Sequence, residues 1–145
     1  MTIKLRYDTP ALLDWVRDNH PTFFPEDPDT HALGAEVDGE LYAVAMYNNF
    51  TIANCAMHIV SNGGRRWASR TFLSAAFAYP FVQLGTNRVT AMVPANNISA
   101  LTLDLRLGFR VEGVMREAER DGQDVVVLGM LRRNCDWITE DQRNG

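Results

Sequence analysis

Residues Asn97–Phe109 read Asn-Ile-Ser-Ala-Leu-Thr-Leu-Asp-Leu-Arg-Leu-Gly-Phe, and this stretch decides the fold of the chain. Asparagine is a preferred N-cap residue, and glycine commonly ends a helix because it adopts the left-handed conformation without strain. We therefore predict a short helix that Asn97 caps and Gly108-Phe109 ends. A strand from Phe109 to Glu119 is predicted to follow it directly.

The predicted helix carries two neighbouring stripes, because residues three, four and seven apart share one face. One stripe holds Asn97, Ala100 and Asp104. The other stripe is apolar, so we expect it to face the core; its residues are Ile98, Leu101 and Leu105.

Outward from this helix, alternating apolar residues predict strands, and apolar residues at helical spacing predict helices. The predicted strands are Ile3–Tyr7, His31–Val37, Glu40–Asn48, Thr51–Val60, Arg88–Val93, Phe109–Glu119 and Asp124–Leu131. Helices are predicted from Asp8-Thr9-Pro10 onward and over about Arg65–Val82, with Pro80 distorting the last turn; Asn19–Thr30 is predicted to be a proline-rich loop. This order predicts a mixed, mostly antiparallel sheet of about seven strands flanked by helices. Residues 1–145 are expected to form one domain, with a tail from about residue 134 that is polar apart from Trp137 and Ile138 and whose end frays.

Composition excludes several classes of function. A net charge of −4 over 145 residues gives no general cationic field, so the chain is not expected to bind nucleic acid or an anionic membrane. No apolar run is long enough to span a bilayer, and the N-terminus does not resemble a signal peptide, which leads us to expect a cytoplasmic protein. Cys55 and Cys135 lack the spacing of metal ligands, so we expect no metal site.

The glycine-rich segment Ser61–Ala68 (Ser-Asn-Gly-Gly-Arg-Arg-Trp-Ala) lies between a predicted strand and the long predicted helix. Free N–H groups at a helix N-terminus bind anions, glycines allow close approach of the backbone, and arginines add cationic donors. The segment is therefore either a phosphate site or a turn that simply needs glycine.

Together, the Asn97 helix with its closing Gly-Phe and the glycine-rich segment resemble the GNAT (Gcn5-related N-acetyltransferase) superfamily. The resemblance implies that acetyl-CoA is the co-substrate, with Gly63, Gly64, Arg65, Arg66, Trp67 and Ala68 holding its pyrophosphate. The family pattern Gln/Arg-x-x-Gly-x-Gly/Ala is only partly kept, since Gly63 replaces the usual Gln or Arg and Arg66 replaces a glycine. The resemblance also implies that Asn97 contacts the pantetheine arm.

In that family the end of the strand before the phosphate loop separates from its neighbour and pairs with the pantetheine amides. By resemblance, Met57, His58 and Ile59 have this role here. His58 is also a candidate general base, because histidine titrates near neutrality, although a packed histidine is the alternative. Many family members carry a tyrosine acid seven residues after the asparagine; here that residue is Asp104, which is a proton donor only if burial raises its pKa. The usual glutamate base is absent, and its strand carries Asn54.

The closing hairpin is similar to that of ribosomal-protein N-terminal acetyltransferases. The resemblance implies direct transfer of an acetyl group to a primary amine, either a protein N-terminus or a small molecule, and a homodimer as a possible assembly. The altered loop and missing acid leave a second hypothesis, in which the chain is an inactive GNAT-fold binding module with an arginine-rich surface at Arg65, Arg66 and Arg70.

Overall fold

The computed structural model describes residues 2–21, 27–63 and 68–145. The strands are β1 (Ile3–Arg6), β2 (His31–Val37), β3 (Glu40–Asn48), β4 (Asn54–Ser61), β5 (Arg88–Pro94), β6 (Arg110–Met115) and β7 (Val125–Leu131). The α-helices are α1 (Thr9–Asn19), α2 (Arg70–Ala78), α3 (Ile98–Leu107) and α4 (Glu140–Asn144). The strands form one sheet in the order β1-β2-β3-β4-β5-β7-β6, in which only β4 and β5 pair in parallel. The predicted mixed, mostly antiparallel sheet is confirmed.

The sheet buries a different cluster on each face because side chains alternate along a strand. Residues of α1, among them Leu12 and Val16, pack against Val44, Met46 and Val60 on one face. Helix α2 covers the other face with Phe72 and Phe77, and α3 packs against that same larger cluster. The sheet therefore separates an α1 side from a side that carries α2 and α3.

Helix α2 begins and ends differently from the prediction. It begins at Arg70, where the Ser69 hydroxyl accepts a hydrogen bond from the Phe72 N–H, and not at Arg65. The distortion predicted at Pro80 is confirmed, because the α-helix gives way to a π-helical turn over Tyr79–Gln83. Proline has no N–H for the carbonyl four residues earlier. That carbonyl, on Ala76, instead accepts a hydrogen bond of 2.6 Å from the buried Tyr47 hydroxyl.

Strands β4 and β6 each lack several residues at one end that were predicted to belong to them, and local turns explain why. Strand β4 begins at Asn54 and not at Thr51, because the Thr51 hydroxyl and backbone bond to Asn54 in a tight turn. Strand β6 ends at Met115 and not at Glu119, because Glu117 adopts a left-handed φ of 53° that no strand contains. Asp8 precedes α1 as predicted, but its carboxylate pairs with Arg6 and does not cap the helix.

The C-terminal tail, predicted to be polar, packs against the main core through its apolar residues. Cys135 and Ile138 are buried, and the Trp137 indole N–H donates to the Leu107 carbonyl at 2.8 Å. Helix α4 begins with a capping box between Thr139 and Gln142. A mostly polar composition concealed a segment whose few apolar residues reach the main core.

Candidate active site

Strands β4 and β5 separate at the centre of the sheet. They share three residue pairs, and the last one joins Ala56 to Thr90. Beyond this pair β4 runs on to Ser61 and β5 to Pro94, with no pairing between them in the described residues. We call this opening the fork. The residues Met57, His58 and Ile59, predicted to bind the pantetheine arm, follow directly after the last pair.

Strand β4 stays firmly held on its other edge, where Tyr47, Met46 and Ala45 of β3 pair with Met57, His58 and Ile59. The edge facing β5 is the one that the fork opens. Backbone amides on such an edge can pair with an extended amide-containing ligand as an added strand does. The geometry therefore suits the role predicted for residues 57–59.

The glycine-rich segment is only partly described. Gly63 is exposed with a φ of 91°, a conformation that favours glycine, and its N–H donates to the Ser61 hydroxyl at 3.3 Å. Ala68 is exposed directly before the Ser69 cap of α2. The other predicted phosphate-binding residues lie outside the described residues; they are Gly64, Arg65, Arg66 and Trp67. The segment does lead to a helix N-terminus, five residues later than predicted.

Helix α3 begins as predicted, but the face that it buries is different. The Asn97 side chain caps the helix by accepting from the Ala100 N–H at 3.2 Å. Ile98 and Leu105, predicted to face the core, are 65% and 51% exposed. Leu101, the third residue of the predicted stripe, does pack against the core, together with the buried Leu107 and the partly buried Ala100 and Leu103.

This correction changes the setting of Asp104. Because Asp104 is four residues after Ala100 and three before Leu107, it lies on the buried face of the helix. Burial raises the pKa of its carboxyl group from 3.8 to about 7. The condition for Asp104 to act as a proton donor is therefore met, since a substantial fraction is protonated at neutral pH.

His58 has the opposite shift. Desolvation of the imidazole lowers its pKa from 6.5 to about 4, so it is neutral at pH 7. The side chain extends to the α1 side of the sheet, because its neighbour Val60 on the same face packs there. A base with so low a pKa binds a proton weakly, which weighs against the predicted role in deprotonating an ammonium group.

The β6–β7 hairpin lies beside the start of α3. The Gln123 side-chain oxygen accepts from the Asn96 N–H at 2.8 Å, and the Asp124 carbonyl accepts from the Ala95 N–H at 2.9 Å. Arg116, Glu117 and Asp124 line a surface cavity of about 500 Å³ in this hairpin. The hairpin therefore brings the carboxylates of Glu117 and Asp124 to the same end of the strands as Asn97.

Sequence reasoning missed a polar network at the closed end of the fork. Arg88 of β5 bonds to Asn54 of β4, to Thr90, and to Glu112 of β6. The interior glycine of β7, Gly129, lies beneath the Arg88–Glu112 pair. A glycine inside a strand often marks such a close approach, and it was the available signal.

Solved structures match the chain over nearly its whole length. A spermidine/spermine N-acetyltransferase SpeG variant from Vibrio cholerae is 18% identical with a TM-score of 0.74, covering 90% of this chain and 95% of that one. A chimera of V. cholerae SpeG and hSSAT is 16% identical with a TM-score of 0.74 and full coverage of both chains. Dodecameric V. cholerae spermidine N-acetyltransferase is 18% identical with a TM-score of 0.72, covering 89% and 93%.

The chain has the GNAT fold. No protein-family model matches the sequence, and no curated protein matches it in a sequence comparison. The likeness rests on structure and not on sequence, and it gives no support to the predicted similarity to the ribosomal-protein branch.

Two further observations concern metals and membranes. Within residues 2–21, 27–63 and 68–145, no three His, Cys, Asp or Glu side chains cluster as metal ligands, while one V. cholerae SpeG structure is a complex with manganese ions. Among the described helices, none has the length and apolar character that crossing a membrane requires.

Proposed function

We propose that this GNAT-fold chain is an N-acetyltransferase that moves an acetyl group from acetyl-CoA directly to a primary amine. The observation that carries the proposal is the fork between β4 and β5, which opens the edge of β4 at Met57–Ile59. Asp104 on the buried face of α3, with its pKa raised to about 7, supplies a proton donor on the side of the sheet that carries α2.

The chain would hold acetyl-CoA mainly through its backbone. Amides of Met57–Ile59 pair with the pantetheine arm along the open edge of β4. The pyrophosphate lies at the glycine-rich segment Gly63–Ala68 and the N-terminus of α2, where free N–H groups and the helix dipole favour an anion. Asn97 contacts the same arm from the N-terminus of α3.

The chemistry follows from placing the thioester in the fork. The neutral amine attacks the carbonyl carbon, and a backbone N–H near Met57–Ile59 stabilises the oxyanion that forms. As the tetrahedral intermediate collapses, the carbon–sulfur bond breaks and Asp104 donates its proton to the departing thiolate. The amine loses its surplus proton to water, and Asp104 regains a proton from solvent. Positioning supplies most of the acceleration, because both reactants are held in contact.

The remaining candidate acids and bases are less suited to this role. The low pKa of His58 leaves that residue to act through its backbone. Glu36 of β2, a further carboxylate that could accept a proton from the amine, is instead paired with Arg6 at 3.4 Å. The alternative hypothesis assigned Arg70 to an arginine-rich binding surface. In the structure its guanidinium instead donates to the Asp136 carbonyl at 3.0 Å and lies over the Trp137 ring.

The acceptor class is proposed from charge. Arg116, Glu117 and Asp124 line the cavity in the β6–β7 hairpin, close to the start of α3, and its two carboxylates against one guanidinium favour a cationic amine. Structures with this fold include spermidine/spermine acetyltransferases, so a polyamine is the first small-molecule acceptor to test, beside the N-terminus of a peptide. Self-association as a homodimer or larger assembly is part of the same proposal, since one of those structures is dodecameric.

Titration calorimetry with acetyl-CoA and with free CoA tests the proposal. We expect saturable binding of both, and release of free thiol from acetyl-CoA when spermidine or an unblocked peptide is added. The Asp104→Asn variant should bind acetyl-CoA as the wild type does but release thiol far more slowly. Absence of heat and of any thermal shift at millimolar acetyl-CoA would refute the proposal.

A further inference from the structure

The polar network at the closed end of the fork spans four strands. The Arg88 guanidinium donates to both Glu112 carboxylate oxygens, at 2.7 and 3.2 Å. Its Nε also donates to the Asn54 side-chain oxygen at 3.2 Å, and Nη2 to the Thr90 hydroxyl at 3.1 Å. The Thr90 hydroxyl in turn donates to Asn54 at 2.7 Å. One arginine thus bonds to β4, β5 and β6, and its pairing with Glu112 passes over β7.

The position of this network relates it to the fork. Strands β4 and β5 share three pairs, and the network contains both members of the first pair, Asn54 and Arg88. It also contains Thr90 from the last pair, after which the strands diverge. The network therefore covers the whole length over which the two halves of the sheet are joined by β4 and β5.

Two local features of the sequence make room for the network. The register of β6 against β7 shifts between Val111 and Gly113, so that Glu112 is the extra residue of a β-bulge. A bulge redirects a side chain and strengthens the local twist. On β7, a Cβ at Gly129 would overlap the side chains of both Arg88 and Glu112. A larger residue at position 129 therefore forces the ends of the Arg88 and Glu112 side chains to move from the observed pair.

We propose that Asn54, Arg88, Thr90 and Glu112 are positioning residues that fix the point at which β4 and β5 separate. This inference rests on the proposed function, because the fork is the slot for the thioester. Three parallel residue pairs make a short ladder, and the network adds a bidentate, charge-assisted bond to it. Without the network the separation point shifts along the strands, and the backbone amides of residues 57–59 lose their alignment with the ligand.

The proposal is tested with two variants that disrupt the network differently. Arg88→Gln removes the bidentate pair, and Gly129→Ala adds a methyl group beneath it. Arg110→Ala is the matched control, because Arg110 is an exposed arginine of β6, the strand that carries Glu112, and its side chain is outside the network. Dissociation constants for acetyl-CoA, kcat at saturating acetyl-CoA and site-resolved hydrogen exchange are measured well below the melting temperature of each variant.

We expect both network variants to weaken acetyl-CoA binding about tenfold, while the control binds as the wild type does. Amides of β4 and β5 should exchange faster in these variants while those pairing β2 with β3 stay protected, because a separation point that moves is a local change. Unchanged affinity with unchanged exchange in β4 and β5 would overturn the proposal, as would a uniform rise in exchange across the sheet. If the wild type binds no CoA, the proposed function fails, whereas the exchange pattern still decides whether the network fixes the fork.

Discussion

At the scale of single residues, Asp104 is a carboxylic acid in an unusually buried environment. Its carboxyl group lies on the buried face of α3, and burial raises its pKa to about 7. Asp104 is the proton donor in the proposed reaction, so the enzyme should lose activity when this carboxyl group ionises. We therefore expect kcat to fall as the pH rises above about 7.

Asp104→Asn should lower kcat about 100-fold, a typical contribution of one general acid. The fall of kcat with pH above 7 should also disappear, because asparagine does not titrate there. The measurement is the pH profile of thiol release at saturating substrates. Thr102→Ala, on the exposed face of the same helix, is the control and should keep the wild-type profile. A wild-type rate for Asp104→Asn would exclude the residue from the chemistry.

The stability of Asp104→Asn separates lost catalysis from lost folding. A carboxyl group whose pKa is raised in the folded state binds protons more tightly there than in the unfolded chain. The wild type therefore loses stability as the pH rises from about 4 through 7, by at most about 4 kcal/mol. Asparagine removes this loss, so urea unfolding at pH 8 should find the variant at least as stable as the wild type.

His58 should affect stability in acid and not the rate at neutral pH. Its folded-state pKa is lowered from 6.5 to about 4, so the unfolded chain takes up the proton first. The contribution to stability is full above pH 6.5 and is lost as the pH falls through 4, by about 3 kcal/mol. His58→Gln should abolish this acid-dependent loss and leave kcat at pH 8 within about threefold.

The control for this prediction is His31→Gln, which removes an exposed histidine at the start of β2. Unfolding by urea at pH 4.5 and at pH 7.5 is compared for the wild type and both variants. A large drop in kcat for His58→Gln at pH 8, with folding intact, would contradict this prediction and support the imidazole as the general base.

At the scale of elements, Asn97 combines two roles that substitution can separate. Its side chain caps α3 through the Ala100 N–H, and the proposed function adds a contact to the pantetheine arm. Asn97→Ala should cost about 1 kcal/mol of stability, and Asn97→Ser should restore it because serine is also a good cap. Acetyl-CoA affinity should fall in both variants.

Unfolding by denaturant and titration calorimetry give the two measurements that this separation needs. Thr139→Ala is the matched control, since it removes the hydroxyl that caps α4 through the Gln142 N–H, on a helix that the proposed site does not use. Recovery of affinity together with stability in Asn97→Ser would mean that the residue acts only as a cap.

The order of the elements was largely predictable from the sequence, because apolar residues recur at different intervals in strands and in helices. The face that α3 buries was not, since Ile98 and Leu105 have the same hydrophobicity as Leu103 and Leu107, and only the packing distinguishes them. The start of α2 was also predicted wrongly. Arg65 and Arg66 are compatible with a helix, and the glycines before them gave a stronger signal for its start than Ser69, which is the actual cap.

The candidate site was predictable where one short segment builds it and hidden where several strands do. Asn97 and Asp104 belong to one helix, so their spacing alone places them on one stripe. The network of Arg88 with Glu112 needs a β-bulge and a sheet order in which β7 lies between β5 and β6. Neither follows from local propensity, because non-local strand pairing is set by the whole sheet.

At the scale of the whole molecule, the C-terminal segment joins α2 to α3. The Trp137 indole donates to the carbonyl of Leu107 at the end of α3, and its ring carries the Arg70 guanidinium from the start of α2 at 5.5 Å. Trp137→Phe should lose about 1 kcal/mol with the hydrogen bond while keeping an aromatic ring for Arg70. Trp137→Ala should lose about 3 kcal/mol or more, because a large, partly buried ring leaves the core.

Acetyl-CoA affinity distinguishes a structural segment from one that also orients the helices. If Trp137 sets the spacing of α2 and α3, the affinity should fall in Trp137→Ala even at temperatures where the variant is fully folded. Arg133→Ala is the control, since it removes an exposed side chain from the start of the same segment. If Trp137→Ala loses stability but keeps wild-type affinity, the segment has only a structural role. The pyrophosphate site at α2 and the Asn97 contact at α3 would then keep their spacing without it.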